Sequence, residues 1–213
     1  MGWTMQNEAR IMALDIETFA DVPMDLYAEL TAGCKGRTGT NDPVKIEAQI
    51  KAKQDAIMDK AALSPLTGRV VSWAVYSEKI KRVVVDDGGG EEALLLELDS
   101  QLAKSGCTYI ATKHGRMFDI PFLAARYAIH GIAPVYPLPL KKYDPNHIDI
   151  EDVFSERLGL WAMRFGLPAK LGGGGDVAAL VEAEKWEELG EYNLRDAEIT
   201  WELAMRLLPI LKG

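Results

Sequence analysis

The chain has 213 residues, 48% of them hydrophobic, and a formal net charge of −8. This length and apolar content are sufficient for one domain with a sizeable core, with room for an insertion. The negative charge argues against a protein that grips phosphates through a broad basic face, because that electrostatic attraction dominates non-specific nucleic-acid affinity. It is compatible with nucleic-acid binding through metal ions, which neutralise acidic residues gathered around them.

The sequence contains no feature of secretion or membrane insertion. The N-terminal stretch MGWTMQNEAR lacks the apolar run of a signal peptide, and no segment is long and apolar enough to span a bilayer. Cys34 and Cys107 are far apart and neither belongs to a CxxC pair, which favours two reduced thiols over a zinc module or a disulfide framework. We expect a soluble protein of the cytoplasm, or of the host cytoplasm if a phage encodes it, with no membrane partner.

The first part of the chain predicts three strands and an insertion. Residues 10–16, RIMALDI, form an apolar run that ends in an acid, which is typical of a buried strand whose tip carries chemistry. Residues 68–87 contain two β-branched runs separated by a polar turn, the pattern of an antiparallel hairpin. Residues 20–65 between them do not fit, and 44–63 have a helical pattern. We interpret 20–65 as a helical insertion on the active edge of the sheet.

The second part alternates helices and strands. The leucine spacing and first-turn acids of residues 91–103 predict a crossover helix. Residues 107–112 predict a fourth strand, followed by a glycine turn and a helix over 118–131. After a proline-rich loop, 147–155 predict a short fifth strand that enters a helix, and an amphipathic helix covers about 185–208. This order predicts an α/β fold, a mixed sheet flanked by helices.

Five residues stand out as candidates for chemistry. Asp15 and Glu17 lie two apart on a strand, so their side chains share a face and can share one ion. Asp119 opens a helix after a strand and a glycine turn, while Tyr192 and Asp196 lie four apart on one helical face. Each feature alone is commonly a solvated strand end, a helix-dipole contact or a surface pair. Their combined order is what indicates a function.

Together these features resemble a known family. DIET at 15–18, FD at 118–119 and YNLRD at 192–196 resemble, in order and separation, the three motifs of the DEDD exonucleases, the ribonuclease H-like proofreading superfamily. The resemblance also covers ALSPLTGRVVSWAVY at 62–76 and RFGLPAKLGGGGDV at 164–177, so it includes most of the chain outside the insertion. It is closest to exonucleases related to the proofreading domain of family B polymerases, including phage-like versions.

The resemblance implies a fold and an activity. The expected fold is a ribonuclease H-like mixed five-stranded sheet, its first three strands antiparallel, in a single domain of residues 1–213. The expected activity is 3′–5′ exonuclease hydrolysis of DNA, preferably single-stranded, which releases nucleoside 5′-monophosphates. The expected cofactors are two divalent ions, Mg²⁺ or Mn²⁺. Expected partners are single-stranded DNA 3′ ends and a polymerase or other replication and repair proteins, while oligomeric state is left open.

The family pattern also implies ligand roles. Asp15 bridges both ions, Glu17 and Asp196 complete the more enclosed site, and Asp119 holds the second ion, directly or through water. Two ions about 4 Å apart would clamp the attacking and leaving oxygens of an in-line displacement. Such ions need several hard oxygen ligands that converge on one spot, which carboxylates supply.

Tyr192 places the chain in the tyrosine subclass of this family, DEDDy. The histidine subclass would have His five residues before the last Asp, where Glu191 stands here. Because a free tyrosine titrates near pH 10, Tyr192 is a poor base at neutral pH. We expect it to orient a water that the metal has already acidified.

Substrate contacts are expected at five positions: Thr18, Phe19, His114, Arg116 and Phe118. The first two follow the metal pair, where family members hold the terminal nucleotide. The family often has Asn-Gly before FD, but here the pair is His-Gly, preceded by a lysine. The basic cluster there is compatible with a contact to the substrate backbone or with a solvated turn. A histidine metal ligand is disfavoured, since four carboxylates suffice for hard cations.

Weaker signals leave alternatives open. Lysines in the insertion and near the glycine run are compatible with a groove that tracks a single strand, or with ordinary surface charge. They are Lys45, Lys51, Lys53, Lys60 and Lys170. The glycine run at 172–175 lacks the spacing of a phosphate loop and is interpreted as a flexible linker or turn.

Three other functions involve some of the same residues. An exoribonuclease on the same fold is the main alternative. Asp15 and Thr18 also resemble the DxDxT loop of haloacid dehalogenase-like phosphatases, but that loop needs Asp where Glu17 stands. An inert nucleic-acid-binding module is disfavoured by the four acids and Tyr192, because buried like charges are costly without ions.

Overall fold

The computed structural model describes residues 11–36, 39 and 41–211 of the chain. Arg10, predicted as the first residue of the first strand, lies outside these residues. The strands are β1 Ile11–Ala20, β2 Gly68–Tyr76, β3 Lys81–Val85, β4 Tyr109–Thr112 and β5 His147–Asp149. The α-helices are α1 Met24–Thr31, α2 Pro43–Met58, α3 Glu91–Lys104, α4 Asp119–Ile129, α5 Leu158–Arg164, α6 Val177–Glu182 and α7 Trp186–Leu211. Short 3-10 helices cover Ala61–Leu63, Ile150–Asp152 and Gly174–Asp176.

The five strands form one mixed sheet in the order β3-β2-β1-β4-β5. β2 pairs with β3 antiparallel, whereas β1 with β4 and β4 with β5 pair in parallel. The predicted mixed α/β sheet is therefore confirmed. One detail is wrong, because the first three strands are not all antiparallel. A tight turn closed by the Ser77 amide and the Ile80 carbonyl joins β2 to β3, whereas β4 follows the crossover helix α3, and such a crossover permits its parallel pairing with β1.

The chain divides into two compact units, one of residues 1–17 and 70–213 and one of residues 18–69. The second unit contains the whole predicted insertion. Helix α2 begins at the Asp42 N-cap, whose carboxylate accepts a hydrogen bond from the Val44 amide at 3.1 Å. Neither α1 nor α2 contains a buried residue. The predicted position of the insertion on the active edge of the sheet stays a prediction.

The first unit has an apolar core on each face of the sheet. On β1, Ile11 and Ala13 face one core, which includes the inner side of α7, and Met12 and Leu14 face the other, which includes α3 and α4. This alternation follows from the two-residue period of a strand. Because β1 is the central strand and is packed on both faces, its carboxyl end is held rigidly by the core. The candidate site residues Asp15 and Glu17 lie toward that end.

Candidate metal centre

Three carboxylates converge where β1 ends against α7. Asp15 and Glu17 continue the face of β1 that packs on α7, and Asp196 comes from α7 itself. One oxygen from each lies within 4.8 Å of the others. Asp15 and Glu17 are half-buried and Asp196 is buried. We refer to Asp15, Glu17 and Asp196 as the acid cluster.

Asp119, the fourth predicted ligand, lies beside the acid cluster. It is the first residue of α4 and is buried. Its Oδ1 accepts a hydrogen bond from the Ile16 amide at 3.2 Å, which ties the start of α4 to β1 between the two strand acids. Its charge acts on both Asp15 and Glu17. All four predicted acids are therefore in one neighbourhood, three in mutual reach and one adjacent.

The electrostatics of the site favour a bound cation. Burial, then the neighbouring carboxylates, hold the pKa of Asp15 well above its usual value. Burial and the charge of Asp196 raise the pKa of Glu17 to about 8. Burial raises the pKa of Asp119 to about 7, and it also raises the pKa of Asp196 although Lys170 opposes this. Burying several like charges together costs free energy, and a bound divalent cation would offset this cost by neutralising them.

One buried oxygen supports the fit of an ion directly. Asp196 Oδ1 is buried and has no hydrogen-bond partner among the described residues. Buried acceptors are nearly always satisfied, so an unpartnered oxygen on one of three converging carboxylates fits a site for a cation. A donor set made only of carboxylate oxygens suits hard ions such as Mg²⁺ or Mn²⁺.

Tyr192 and Lys170 border the acid cluster on α7 and on the glycine-rich segment. The Lys170 ammonium forms an ion pair with Asp196 and lies 4.8 Å from the centre of the Tyr192 ring. Burial, followed by the charge of Glu17, raises the pKa of the Tyr192 phenol. The phenol therefore stays protonated at neutral pH. Sequence reasoning placed Lys170 among several surface lysines, since no motif marks its proximity to Asp196.

A buried hydrogen-bond chain that sequence reasoning missed ends on Asp15. The Asn193 side-chain amide donates to Asp15 Oδ2 at 2.6 Å, and the Ser72 hydroxyl donates to Asn193 Oδ1 at 2.8 Å. Both residues are fully buried. Ser72 thereby orients the amide so that its donor faces Asp15. The available signal was a single polar residue within the apolar run of β2.

Asp149, also missed, organises the turn that leads into Asp119. Its carboxylate accepts from the backbone amides of His114 and Arg116, each at 2.8 Å. A Cβ on Gly115 would lie 2.4 Å from the Thr112 side chain, so only glycine fits against β4. His114 has a positive φ of 65°. The turn is thus fixed by one acid, one glycine and one left-handed residue.

The predicted substrate contacts have varied surroundings. The side chain of His114 is exposed, the Arg116 guanidinium pairs with Asp152 at 2.8 Å, and the Phe118 ring packs on Phe122 with centroids 5.4 Å apart. The guanidinium of Arg116 is therefore already engaged in an ion pair.

Thr18 and Phe19 follow Glu17 on β1 and belong to the second unit, where Thr18 is buried and Phe19 is half-buried. Three of the predicted groove lysines of the insertion have partners within that unit. Lys45 pairs with Asp42, Lys51 with Asp55, and Lys53 donates to the Lys35 carbonyl.

Comparison with solved structures supports the fold. The chain is similar to the family B DNA polymerase from the hyperthermophilic archaeon Pyrobaculum calidifontis, with a TM-score of 0.63 and 20% sequence identity. The match covers 94% of this chain and 25% of the polymerase chain, so the chain spans about a quarter of that polymerase. At this identity the likeness shows a polymerase-related fold, in agreement with the predicted ribonuclease H-like sheet. No protein-family model and no curated protein matches the sequence.

None of the helices in the part of the chain that the structure describes combines the length and apolar character needed to cross a membrane.

Proposed function

We propose that this chain is a metal-dependent 3′–5′ exonuclease that acts on DNA, preferably single-stranded. The observation that carries the proposal is the convergence of one oxygen each from Asp15, Glu17 and Asp196 within 4.8 Å, with one buried Asp196 oxygen that has no hydrogen-bond partner among the described residues. The adjacent Asp119 gives the four-carboxylate set that this chemistry requires. The structural likeness of the chain to part of a DNA polymerase supports a role on DNA.

Two divalent ions would be held by Asp15, Glu17 and Asp196, with Asp119 on the second ion. When bound, such ions lower the pKa of a water and neutralise charge that develops on the phosphoryl oxygens. The four carboxylates must be ionised to act as ligands, and their raised pKa values mean that protons compete with the ions. Activity should therefore be favoured at slightly alkaline pH.

The remaining residues of the site position these groups. The Tyr192 phenol stays protonated at neutral pH, so its role is to orient oxygen atoms beside the acid cluster and not to remove a proton. Lys170 balances part of the negative charge at Asp196. Asn193, held by Ser72, fixes one oxygen of Asp15 and so orients that carboxylate. Hydrolysis from a 3′ end would release nucleoside 5′-monophosphates.

The test uses 5′-labelled single-stranded and duplex DNA, and RNA of the same sequence, with Mg²⁺, Mn²⁺ or a chelator. We expect a ladder that shortens from the 3′ end of single-stranded DNA and disappears with the chelator. Asp15→Asn should lower the rate by at least about 10³-fold, because loss of a carboxylate that would hold the ions removes several kcal/mol of transition-state stabilisation. Asp87→Asn, at an exposed acid outside the site, is the matched control.

Three results would overturn the proposal. A ladder that persists in Asp15→Asn would remove the acid cluster from the chemistry. Release of phosphate from a small monoester without any ladder would indicate a phosphatase. Faster shortening of RNA than of DNA would replace the proposed substrate with RNA on the same fold.

A further inference from the structure

A groove of about 550 Å³ runs along helix α2 in the second unit. The described residues that line it all belong to this helix: Pro43, Ile46, Glu47, Ile50, Lys51 and Gln54. Their spacing of three and four positions places them on one side of the helix, which we call the α2 face. Because none of the described residues of α2 is buried, the α2 face is partly open to water.

One edge of the α2 face is covered by the chain segment that precedes the helix. The Lys53 ammonium donates to the Lys35 carbonyl at 2.6 Å. A Cβ on Gly36 would lie 2.8 Å from Ile46 Cγ2, so the backbone at position 36 packs closely on this isoleucine. The groove therefore opens toward the opposite edge of the face.

The open edge carries two opposite charges. At about 100° per residue, Glu47 and Lys51 project to the same side of Ile50, whereas Ile46 and Lys53 project to its other side. The α2 face thus has an isoleucine edge and a charged edge. A partner that covers it must offer apolar contact along one side and both signs of charge along the other.

Both charges on the open edge are available to such a partner. The Glu47 carboxylate has no ion-pair partner among the residues that the structure describes. Lys51 pairs with Asp55 at 3.6 Å, one helical turn away, but the two side chains are 75% and 58% exposed. Exposed pairs of this kind contribute little and are screened by salt, so an acid of another molecule can replace Asp55.

The α2 face is complementary to itself when two copies of the helix lie antiparallel. A twofold axis beside position 49 places Glu47 of each copy opposite Lys51 of the other, because each of these residues is two positions from the axis. Ile46 is three positions from the axis and Ile50 is one. The four isoleucines of the two copies therefore alternate along the contact in steps of about 3 Å.

A parallel arrangement of the two helices lacks this complementarity. The charged edge of one copy would then lie against the isoleucine edge of the other, and neither ion pair between Glu47 and Lys51 would form. Charges that flank an apolar contact between helices commonly determine the direction and register of pairing. Here they favour the antiparallel direction.

We propose that this chain forms a homodimer through the α2 faces of two copies, packed antiparallel. The homodimer goes beyond the proposed function and does not depend on it. Pairing removes Ile46 and Ile50 from water, and the two ion pairs between Glu47 and Lys51 set the register. A helix of 16 residues gives a contact at most about 24 Å long, so we expect a reversible dimer that depends on protein concentration.

Sedimentation velocity over about a hundredfold range of protein concentration measures this association. The unaltered protein should change from monomer to dimer as concentration rises. Ile50→Glu should weaken association at least about tenfold, because it replaces an apolar contact by a charge that lies beside its symmetry mate. The matched control is Ala52→Glu, which adds the same charge at an exposed position on the opposite side of α2. We expect it to associate as the unaltered protein does.

A charge exchange tests the antiparallel register. Glu47→Lys and Lys51→Glu should each weaken association by about tenfold, since each places like charges opposite one another across the axis. The variant with both substitutions regains opposite charges, and we expect its association to be within about twofold of that of the unaltered protein. Thermal unfolding of each variant distinguishes loss of pairing from loss of folding.

The homodimer is ruled out by any of three results. The unaltered protein stays a monomer at every concentration, or Ile50→Glu and Ala52→Glu have the same effect on association, or the folded double variant fails to regain it. A dimer without nuclease activity would contradict the proposed function alone. A monomer that shortens DNA from its 3′ end would overturn the homodimer and leave the proposed function standing.

Discussion

Two regions of the first unit contain buried or half-buried carboxylates, and their surroundings shift the carboxylate pKa values in opposite directions. Glu91 is buried at the start of α3, where it accepts hydrogen bonds from the Val70 amide at 2.7 Å, from Arg126 and from His130. Burial alone would raise the pKa of Glu91, but these partners lower it. In the acid cluster, burial raises the pKa of every member, and neighbouring carboxylates raise the pKa values of Asp15 and Glu17 further.

The difference separates a structural carboxylate from a candidate functional one. Glu91 has a full set of donors, and its charge is balanced by Arg126 within the protein. The acid cluster has Lys170 and Asn193 as partners for three carboxylates, and one buried oxygen has none among the described residues. Buried charge that the protein leaves unbalanced is a reason to look for an external cation.

The largest effects should come from neutralising one acid in each region. Asp196→Asn should lower the cleavage rate by about 10³-fold or more, with little loss of stability of the metal-free protein, because relief of the repulsion on Asp15 and Glu17 offsets the lost ion pair with Lys170. Glu91→Gln should lower the free energy of unfolding by about 3–5 kcal/mol, since it removes the carboxylate charge that pairs with the buried guanidinium of Arg126. Urea denaturation in a chelator measures both stabilities. Equal destabilisation by the two changes would remove the contrast between the regions.

A smaller effect is expected from the hydrogen-bond chain to Asp15. Asn193→Ala should weaken Mn²⁺ binding by about 10–100-fold, because partners that orient a metal ligand typically contribute this much to affinity. Ser72→Ala should have a weaker effect in the same direction, since it frees the amide to rotate without removing it. Isothermal titration with Mn²⁺ measures both, independently of cleavage. Unchanged Mn²⁺ affinity in Asn193→Ala would mean that Asp15 needs no orienting partner.

The smallest effect is a dependence of stability on pH that differs in sign between the regions. The pKa of Glu17 is raised from its ordinary value of 4.5 to about 8. Its protonated carboxyl group therefore contributes fully to the free energy of unfolding below about pH 4.5, and this contribution is lost as pH rises to about 8. The lowered pKa of Glu91 gives a contribution that is present above 4.5 and is lost as pH falls through the lowered value.

Thermal unfolding between about pH 5 and pH 9 checks the part of this pH dependence that comes from the acid cluster. The chelated protein should lose stability over that range, and Mg²⁺ should restore more stability at the alkaline end, where the carboxylates no longer need to lose protons to bind it. A Mg²⁺ stabilisation that is the same at every pH would contradict the raised pKa values of the acid cluster.

Local sequence patterns were sufficient to predict much of the fold and the acids at the site. Alternation on β1 and the leucine period of α3 are local properties, and so is the spacing of two acids on one strand. The geometry brings Asp15 and Asp196 together although they are 181 positions apart, which the sequence indicated only through the order of the motifs.

The supporting residues were not predictable in the same way. The Ser72–Asn193 contact joins positions 121 apart, and the Asp149–His114 contact joins positions 35 apart. Neither pair has a characteristic spacing, because hydrogen bonds across a packed sheet depend on three-dimensional register. The ion pair of Lys170 with Asp196 is of the same kind. Such contacts can be recognised only in the packed structure. The sequence gives at most a hint, such as a single polar residue within an apolar strand.

The close contact between Gly115 and Thr112 limits which sequences can carry this site. Position 115 has no room for even one methyl group, since an added carbon would lie 2.4 Å from the β4 side chain. A larger residue must push the turn away from the strand, and the first residue of α4 moves with it. Natural variation at positions 114 and 116 can change what the turn presents to solvent. A substitution at position 115 would displace Asp119, four residues later. A glycine without charge or side chain thus determines where this acid lies.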